Sequence, residues 1–467
     1  MTGKTSWKTI CLGFALWAAT ATTSSGQTFT TLAYFTDGSS LLSLSSLIQA
    51  RDGNLYGTSG NGGADGYGSV FKITPSGTLT SVYSFCAQTN CADGSYPYGA
   101  LALGINGDLY GTTQFGGAHD LGTVFRVTSG GTLTVLHSFG GADGSGPEAG
   151  LVLAADGNFY GTTSSGGANS SCPGSDCGTV FKISPSGSLT TLHTFDGTDG
   201  FGPLAPLVQG ADGSLYGTTV YGGTGDCDGE SCGTVFKITT GGEFNSLHSF
   251  QFTDGGLPTS PLVQAANGAF YGTTYEGGEV GRVCSGGCGT IFKISSGGTF
   301  ATVHKFHFSD GSVIYAGLVQ GTDQNLYGES IEGSEIFSAT LKGQLTVEYS
   351  GVSGSAALLQ GTDGKFYGTS ESDDYPYGQV FSFDMGLGPF AAFVIPTAKV
   401  GQTAQILGQG LTGTTNVTFN GVQATSFKVV SDTYMTAVVP SGATTGVVVV
   451  TTPTGGLTSN VNFRIAK

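Results

Sequence analysis

The sequence predicts an all-β protein, a seven-bladed β-propeller followed by an immunoglobulin-like β-sandwich. Three observations lead to this prediction. The tripeptide Leu/Phe-Tyr-Gly recurs seven times, the chain is rich in glycine and in residues that favour strands, and the rhythm of the repeat stops near Gly388. The 82 glycines suit many short strands joined by tight turns, and helical patterns are scarce.

The recurring tripeptide defines the predicted blades. A representative unit, 149–195, contains four apolar segments separated by turn residues, among them the pair Asp156-Gly157. A two-residue Asp-Gly connection marks a tight hairpin, and four antiparallel strands per unit make a propeller blade. Closing the blades into a ring protects the sheet edges. The tyrosines of the seven tripeptides are Tyr56, Tyr110, Tyr160, Tyr216, Tyr271, Tyr327 and Tyr367.

The order of the segments predicts how the ring closes. The chain enters with a fourth-type segment, 29–35, before any first-type segment, and the last unit stops after its third segment, 379–383. The N-terminal segment should therefore be the fourth strand of the last blade. Strict alternation along this strand would place Phe29 and Phe35 on the same side.

The repeat resembles the GloVer-type tandem-repeat family of exported bacterial proteins. The resemblance rests on the patterns L-Y-G-T-T-x-x-G-G, G-T-V-F-K-I and L-T-x-L-H-S-F, which the unit with Tyr216, Gly222, Gly223 and 233–238 matches in order. The sixth unit departs from the pattern, with Glu329-Ser330 in place of Thr-Thr. The resemblance implies a repeat fold and no assigned activity.

A second pattern begins near Gly388. It lacks the Tyr-Gly pair and consists of alternating strands with Gly and Asn turns, which is typical of a sandwich. The turn 408–411 resembles that of the IPT/TIG immunoglobulin-like domain, and the resemblance implies a spacer role. The predicted domains are a signal peptide over 1–26, the propeller over 27–386 and the IPT/TIG-like β-sandwich over 387–467.

The first residues predict export. Lys4 and Lys8 precede an apolar stretch, 10–21, that is shorter than the roughly 20 residues of a membrane-spanning helix. We expect a monomeric protein that is secreted or held at the cell surface or in the periplasm, with no membrane insertion after signal cleavage. The formal net charge of −16 argues against nucleic acid as a partner.

Eight of the nine cysteines form four close pairs. Two interpretations compete, a tetrathiolate metal site and disulfides. Exported proteins favour disulfides, and each pair lies in its own Gly/Ser-rich loop, so we predict four disulfides and no metal or other cofactor. The predicted pairs are Cys86 with Cys91, Cys172 with Cys177, Cys227 with Cys232, and Cys284 with Cys288.

The other chemically active residue types do not form a recognisable catalytic site. The histidines of the fourth segment fall in different blades, so they cannot share an ion whose ligands lie about 2 Å away. Asp-Gly pairs are interpreted as turns, and the acidic run 226–230 lacks the spacing of a calcium loop. Nucleophile-elbow, P-loop and H-E-x-x-H motifs are absent from the sequence. The four histidines are His137, His193, His248 and His304.

The long connections carry aromatic residues. In each unit the connections between segments one and two and between three and four are short, so the long ones emerge together on the opposite face. Variable loops on a rigid scaffold commonly bind ligands, although single exposed aromatics are also ordinary. We predict a non-catalytic binding or scaffold protein for an extracellular polysaccharide or protein. The candidate binding residues are Tyr96, Tyr98, Phe115, Phe201, Tyr221 and Tyr275.

The alternative function is catalytic. A carbohydrate-active hydrolase or lyase would place its site in the propeller channel, where residues from distant blades meet. Such an enzyme needs two carboxylates about 5 to 9.5 Å apart. The sequence favours the non-catalytic interpretation because it contains no catalytic motif.

Overall fold

The computed structural model describes residues 26–36, 45–168, 177–227, 231–279, 284, 286–307, 309, 311–312, 314–370 and 378–466. The predicted signal peptide falls outside these residues, except for Gly26, and stays a prediction. The described residues form strands joined by turns, with one short 3-10 segment at Thr89–Cys91, which confirms the predicted all-β class. None of the helical structure in these ranges is long and apolar enough to cross a membrane.

The strands of the repeated part run from Thr28 to Asp384. In chain order they are β1 (Thr28–Tyr34), β2 (Ile48–Gln49), β3 (Leu55–Ser59), β4 (Ser69–Ile73), β5 (Leu79–Ser84), β6 (Ala102–Leu103), β7 (Leu109–Thr113), β8 (Thr123–Val127), β9 (Leu133–Ser138), β10 (Val152–Leu153), β11 (Phe159–Thr163), β12 (Thr179–Ile183), β13 (Leu189–Thr194), β14 (Val208–Gln209), β15 (Leu215–Thr219), β16 (Thr234–Ile238), β17 (Phe244–Ser249), β18 (Val263–Gln264), β19 (Phe270–Thr274), β20 (Thr290–Ile294), β21 (Phe300–Lys305), β22 (Val319–Gln320), β23 (Leu326–Ser330), β24 (Glu335–Ala339), β25 (Leu345–Ser350), β26 (Leu359–Gln360), β27 (Phe366–Ser370) and β28 (Gln379–Asp384).

These strands form seven four-stranded antiparallel sheets in the described part of the chain. Six sheets use four consecutive strands each, for example β10-β11-β12-β13, as predicted for the repeat. Two-residue first strands of six of these sheets line one large cavity, and we call the first strands the inner strands. Each sheet therefore runs outward from a short inner strand to a longer outer strand.

The seventh sheet joins the two ends of the repeated part. Its order is β1-β28-β27-β26, and β1 pairs with β28 from Thr28 opposite Asp384 to Tyr34 opposite Gln379. The predicted closure by the N-terminal segment is confirmed.

The predicted alternation within β1 is wrong. The register shifts between Thr31 and Ala33, so a bulge reverses the side on which later residues point. Phe29 stacks on Phe381 of its own sheet, with ring centroids 5.0 Å apart. Phe35 instead contacts Phe71 of the next sheet, at 5.1 Å. The segment 29–35 therefore contributes one aromatic ring to each of its two neighbouring cores.

The Leu-Tyr-Gly tripeptide has a structural role in every sheet. In β11, Phe159 and Tyr160 fill the spaces between sheets. The Tyr160 hydroxyl donates a hydrogen bond to Asp156 of the preceding turn at 2.8 Å. The glycine makes room for an aromatic ring: a Cβ on Gly161 would lie 2.6 Å from Cζ of Phe181. The first threonine that follows, Thr162, donates a hydrogen bond at 3.0 Å to the carbonyl of Pro203, in the connection that leads into the next sheet. The motif thus joins neighbouring sheets.

The C-terminal part forms two further layers. Its strands are β29 (Ala392–Phe393), β30 (Thr397–Lys399), β31 (Thr403–Leu407), β32 (Asn416–Phe419), β33 (Val422–Gln423), β34 (Ser426–Ser431), β35 (Tyr434–Val438), β36 (Val448–Thr452), β37 (Gly455–Thr458) and β38 (Arg464–Ala466). They make the sheets β29-β31-β35-β34 and β33-β32-β36-β37 and the parallel pair β30-β38. Both sheets contribute to one core, for example through Ile406 and Met435 on one side and Phe419 and Val450 on the other.

Candidate ligand-binding site at the channel mouth

The two ends of the ring differ in the length of their connections. Antiparallel pairing puts the first-to-second and third-to-fourth connections at one end, which we call the turn end. The longer second-to-third connections and the crossings between sheets lie at the other end, which we call the loop end. All six predicted binding residues belong to loop-end connections, so their predicted common face follows from the observed topology.

A small cavity of about 140 Å³ opens at the loop end of the inner strands. Equivalent positions of six repeat units line it, and each of these residues precedes a core leucine by three positions. We call this cavity the channel mouth. The six equivalent residues are Tyr98, Glu148, Leu204, Thr259, Tyr315 and Ser355.

Tyr98 is the predicted binding residue that reaches the channel mouth itself. The ring of Tyr96 stacks on the ring of Tyr98, with centroids 6.3 Å apart. Tyr96 also contacts Phe115 at 6.0 Å and Tyr67 at 5.7 Å. Phe115 keeps 43% of its surface exposed. We call these four side chains the first aromatic group.

The remaining predicted residues lie further round the loop end. Phe201 stacks on Tyr221 with centroids 5.2 Å apart. Tyr275 lies 4.6 Å from Tyr315, which connects it to the channel mouth. Partial burial, followed by the nearby Tyr275, Tyr221 and Glu276, raises the pKa of Tyr315 to about 12. Phe201, Tyr221, Tyr275 and Tyr315 form the second aromatic group, and the Tyr315 phenol is neutral over the physiological range.

Glu148 supplies the negative charge of the channel mouth. It is the one acidic residue among the described residues that line this cavity. Its Oε1 accepts a hydrogen bond from Ser164 Oγ at 3.0 Å. Burial, followed by Tyr96 and the Glu148 carboxylate, raises the pKa of Tyr98. The mouth therefore presents neutral phenols and one carboxylate.

The turn end is covered by the C-terminal part. Gln405 accepts a hydrogen bond from the Arg51 guanidinium at 2.8 Å and donates one to the Ile105 carbonyl at 3.0 Å. The Arg51 guanidinium lies over the ring of Tyr434, 4.6 Å from its centroid. Thr433 Oγ1 donates to the Arg51 carbonyl at 2.7 Å. These contacts hold the C-terminal layers against the first and second sheets.

Between the inner strands and the C-terminal part lies a cavity of about 1080 Å³. Aliphatic side chains such as Ile48, Leu103 and Val208 line one side of it, and Phe390 and Phe393 line the other. No Asp or Glu occurs among its described lining residues. Its polar lining comes from neutral side chains such as Gln209 and Gln264 and from Arg464, so the carboxylate that the described residues present to a cavity lies at the loop end.

Three of the four predicted disulfides are present in the described residues, and they confirm the predicted pairing for Cys86–Cys91, Cys227–Cys232 and Cys284–Cys288. Cys177 is disulfide-bonded, while its predicted partner Cys172 lies outside the described residues. All of these cysteines belong to loop-end connections. The crosslinks therefore restrict the loops around the channel mouth.

The histidines of the outer strands hold loops rather than a metal. His193 Nε2 lies 2.7 Å from Asp199 Oδ2, and its ring stacks on Phe244 at 3.9 Å. His137 pairs with Asp143 in the same way at 2.7 Å. No group of three or more His, Cys, Asp or Glu side chains that could hold a metal occurs in the ranges described. Part of the acidic run 226–230 lies outside those ranges.

Sequence reasoning missed Glu148, Thr259, Tyr315 and Ser355. Each belongs to the segment that enters an inner strand, and they carry four different residue types, so no shared motif marks them. Their equivalence becomes visible only when the seven units are aligned on the core leucine, as in Leu151 three residues after Glu148. That alignment combined with ring closure would have predicted the lining of the mouth.

Comparison with solved structures identifies the fold. A streptogramin B lyase is 14% identical with a TM-score of 0.52, and the match covers 77% of this chain and 97% of that chain. A virginiamycin B lyase from Staphylococcus aureus is 13% identical with a TM-score of 0.54, covering 77% and 99%. A fungal alcohol oxidase of the AA5 family, in complex with copper, is 12% identical with a TM-score of 0.52, covering 95% and 99%. At these identities the similarity shows the fold alone.

Comparison with protein families identifies the repeat. No curated protein matches the chain in sequence. The Gloeobacter/Verrucomicrobia repeat, in contrast, matches residues 19–229, 81–285, 173–350 and 228–435 in overlapping copies. These matches span the four-stranded sheets described above. The chain belongs to the Gloeobacter/Verrucomicrobia repeat family, and its repeats build a β-propeller.

Proposed function

We propose that the protein is an exported, non-catalytic binding protein that takes up an extracellular polysaccharide at the loop end. The observation that carries this proposal is the channel mouth, a small cavity lined by Tyr98, Glu148 and Tyr315 and flanked by the two aromatic groups. Aromatic side chains provide large contact areas at low entropic cost. Hydroxyl and carboxylate groups among them suit a ligand that is rich in hydroxyls.

The proposal includes the architecture that supports the site. We propose that the seven sheets are the blades of one ring, 27–386, and that the part 387–467 is an IPT/TIG-like sandwich acting as a spacer. The contact of Arg51 with Gln405 at 2.8 Å supports a fixed attachment at the turn end. A spacer at that end would leave the loop end free to meet a ligand.

The proposed location is outside the cytoplasm. The three disulfides in the described residues are typical of oxidising compartments. Secretion, or retention at the cell surface or in the periplasm, agrees with this chemistry and with the export signal predicted from residues 1–26.

A hydrolase or lyase acting in the channel is the competing proposal, because two lyases share the propeller fold. Glycoside hydrolysis needs a pair of carboxyl groups. Glu148 is the single acid among the described residues lining the channel mouth, and the described lining of the large cavity contains none. The geometry therefore favours binding over hydrolysis.

The proposal is tested with a glycan array and with pull-down of the extracellular polysaccharide fraction, using protein that lacks residues 1–26. We expect retention of a polysaccharide without its cleavage, and loss of retention in Tyr98→Ala and Tyr315→Ala. Ile105→Ala is the control, since Ile105 is an exposed apolar side chain at the turn end. Turnover of a bound glycan would support the enzymatic alternative, and an array without any specific signal would reject the proposal.

A further inference from the structure

Four acidic groups at the turn end are paired with cations. These pairs lie between the second and third strands or beside the final strand of the repeated part, and each carboxylate has a basic side chain within 4 Å. The pairs are Asp108 with Arg126 at 3.7 Å, Asp156 with Lys182 at 3.0 Å, Asp212 with Lys237 at 2.8 Å, and Asp384 with Lys365 at 3.5 Å.

Glu148 at the loop end has no such partner. Within the described residues its hydrogen bond comes from the neutral hydroxyl of Ser164, and no Lys, Arg or His forms an ion pair with it. The strand order explains the difference: the repeated basic residue of the third strand, as in Lys182 and Lys237, lies beside the turn end. The charge of Glu148 is therefore available to a ligand.

The rest of the channel mouth adds hydrogen-bonding capacity without charge. Thr259 Oγ1 is buried and has no hydrogen-bond partner within the described ranges, although it belongs to a residue lining the cavity. A buried hydroxyl without a partner is costly unless a ligand or water completes it. The Tyr98 phenol stays protonated because its pKa is raised. One carboxylate thus acts together with several neutral donors and acceptors.

We infer that the ligand of the channel mouth is an oligomer of amino sugars whose protonated amine binds Glu148. This inference rests on the proposed polysaccharide-binding function and assigns its chemical class. The cavity of about 140 Å³ admits one small polar unit at a time. The two aromatic groups on either side stack on the neighbouring sugar rings. The single carboxylate distinguishes a free amine from its neutral acetylated form, because a cation and a carboxylate form a charge-assisted hydrogen bond.

The amino-sugar class is favoured over a basic peptide by the composition of the mouth. One carboxylate suits one amine per binding unit, whereas a lysine-rich peptide would be matched by a row of unpaired acids. The hydroxyls of Thr259 and Ser355 and the phenols of Tyr98 and Tyr315 suit the hydroxyls that a sugar carries beside its amine.

The test compares two ligands of equal length by titration calorimetry at low salt, a glucosamine oligomer and an N-acetylglucosamine oligomer. Wild-type protein should bind the glucosamine oligomer about tenfold more tightly. Glu148→Gln should remove this difference by weakening the binding of the glucosamine oligomer about tenfold. Glu332→Gln is the matched control, because Glu332 is a loop-end acid outside the channel mouth. It should leave both affinities unaltered.

Two outcomes would overturn the inference. Equal binding of both oligomers, with no effect of Glu148→Gln, would leave the proposed polysaccharide function intact and reject the role of the amine. Tighter binding of a lysine oligopeptide than of the glucosamine oligomer would assign the site to basic peptides. A glycan array without any signal would reject the proposed polysaccharide-binding function as well. The failure of the proposed function and the failure of the amino-sugar class therefore give different results.

Discussion

At the scale of single residues, two departures from the repeat compensate each other. Glu329 replaces the threonine that bonds the next sheet in other units, and it is fully buried with no hydrogen-bond partner for either carboxyl oxygen among the described residues. Gly354, in the next unit, stands where four other units have Pro and one has Ile. A Cβ on Gly354 would overlap Oε2 of Glu329. The absence of a side chain at Gly354 therefore makes room for the larger side chain of Glu329.

Burial raises the pKa of the Glu329 carboxyl well above its usual value, and this makes stability depend on pH. The neutral acid is favoured in the folded state, so the contribution of the protonated Glu329 to the free energy of unfolding is fully present below the pKa of an unfolded Glu. This contribution is lost as the pH rises towards the pKa of Glu329 in the folded protein. The free energy of unfolding then falls by up to about 1.4 kcal/mol per pH unit.

We predict that Glu329→Gln, which keeps the shape and removes the ionisable group, flattens the loss of stability as the pH rises above the pKa of an unfolded Glu. Denaturant unfolding at a series of pH values measures this slope. Glu332→Gln serves as the control, because Glu332 is an exposed acid at the loop end. It should keep the wild-type slope. Identical pH profiles for the wild type and Glu329→Gln would show that Glu329 ionises without cost.

At the scale of the strand, the glycine of the repeated tripeptide is required by close packing. Gly161 in β11 faces the ring of Phe181 at 2.6 Å and Cδ2 of Leu151 at 2.8 Å, measured from the position a Cβ would take. Both side chains are almost completely buried. The strand therefore cannot accept a side chain without moving the core.

We predict that Gly161→Ala destabilises the protein by about 1 to 3 kcal/mol, the usual cost of overpacking a core. Thermal and denaturant unfolding measure the change. Gly388→Ala is the control, because a Cβ there meets no atom within 4 Å. An unchanged midpoint for Gly161→Ala would mean that the sheets are more loosely packed than this structure shows.

The disulfides act at the scale of the loop. Cys86–Cys91, Cys227–Cys232 and Cys284–Cys288 span sequence separations of only five, five and four residues. Closing so short a loop contributes about 2 kcal/mol or less to stability in the chain-entropy account. The sheets themselves are held by the packing between neighbouring sheets.

We predict that protein lacking residues 1–26 has no thiol that reacts under denaturing, non-reducing conditions. After reduction its far-ultraviolet circular dichroism should be unchanged, while the loop end should become more sensitive to proteolysis. Thiol labelling detected by mass spectrometry makes the first measurement. Two labelled cysteines would point to an open pair, and loss of the strand signal on reduction would contradict the minor role in stability.

At the scale of the whole molecule, ring closure depends on the N-terminal strand. β1 pairs along its length with β28, and Phe29 within it and Phe35 directly after it enter two different cores. Removing it would expose the edge of β28 together with apolar surface of the first and last sheets, and such edges promote aggregation. The C-terminal part is attached through Arg51 and also through Gln409 with Thr362 and Arg464 with the Ala211 carbonyl, and none of these contacts completes a sheet of the repeated part.

We predict that a chain beginning at Gly38 melts well below the protein that begins at Gln27 and aggregates on heating. Removal of residues 388–467 should have a smaller effect on melting of the repeated part. Calorimetry and light scattering compare the two truncations. The reverse order of melting temperatures would mean that the C-terminal part, and not β1, holds the ring together.

The sequence by itself determined the repeated architecture. Periodic Leu-Tyr-Gly units, Asp-Gly turns and the order of segments were sufficient to predict four strands per unit and closure by residues 29–35. These features depend on local alternation and turn chemistry, which a single unit already contains. The pairing of nearby cysteines is local in the same sense, and the three pairs in the described residues agree with it.

Only the tertiary structure decided which residues meet across units. Glu148, Thr259 and Tyr315 belong to different repeat units, and ring closure brings them to one mouth. The bulge in β1 and the space that Gly354 leaves for Glu329 likewise depend on contacts between units. Side-chain periodicity within one strand carries no information about the neighbour across the ring. The fold could therefore be predicted from local patterns, whereas the lining of the site required the closed ring.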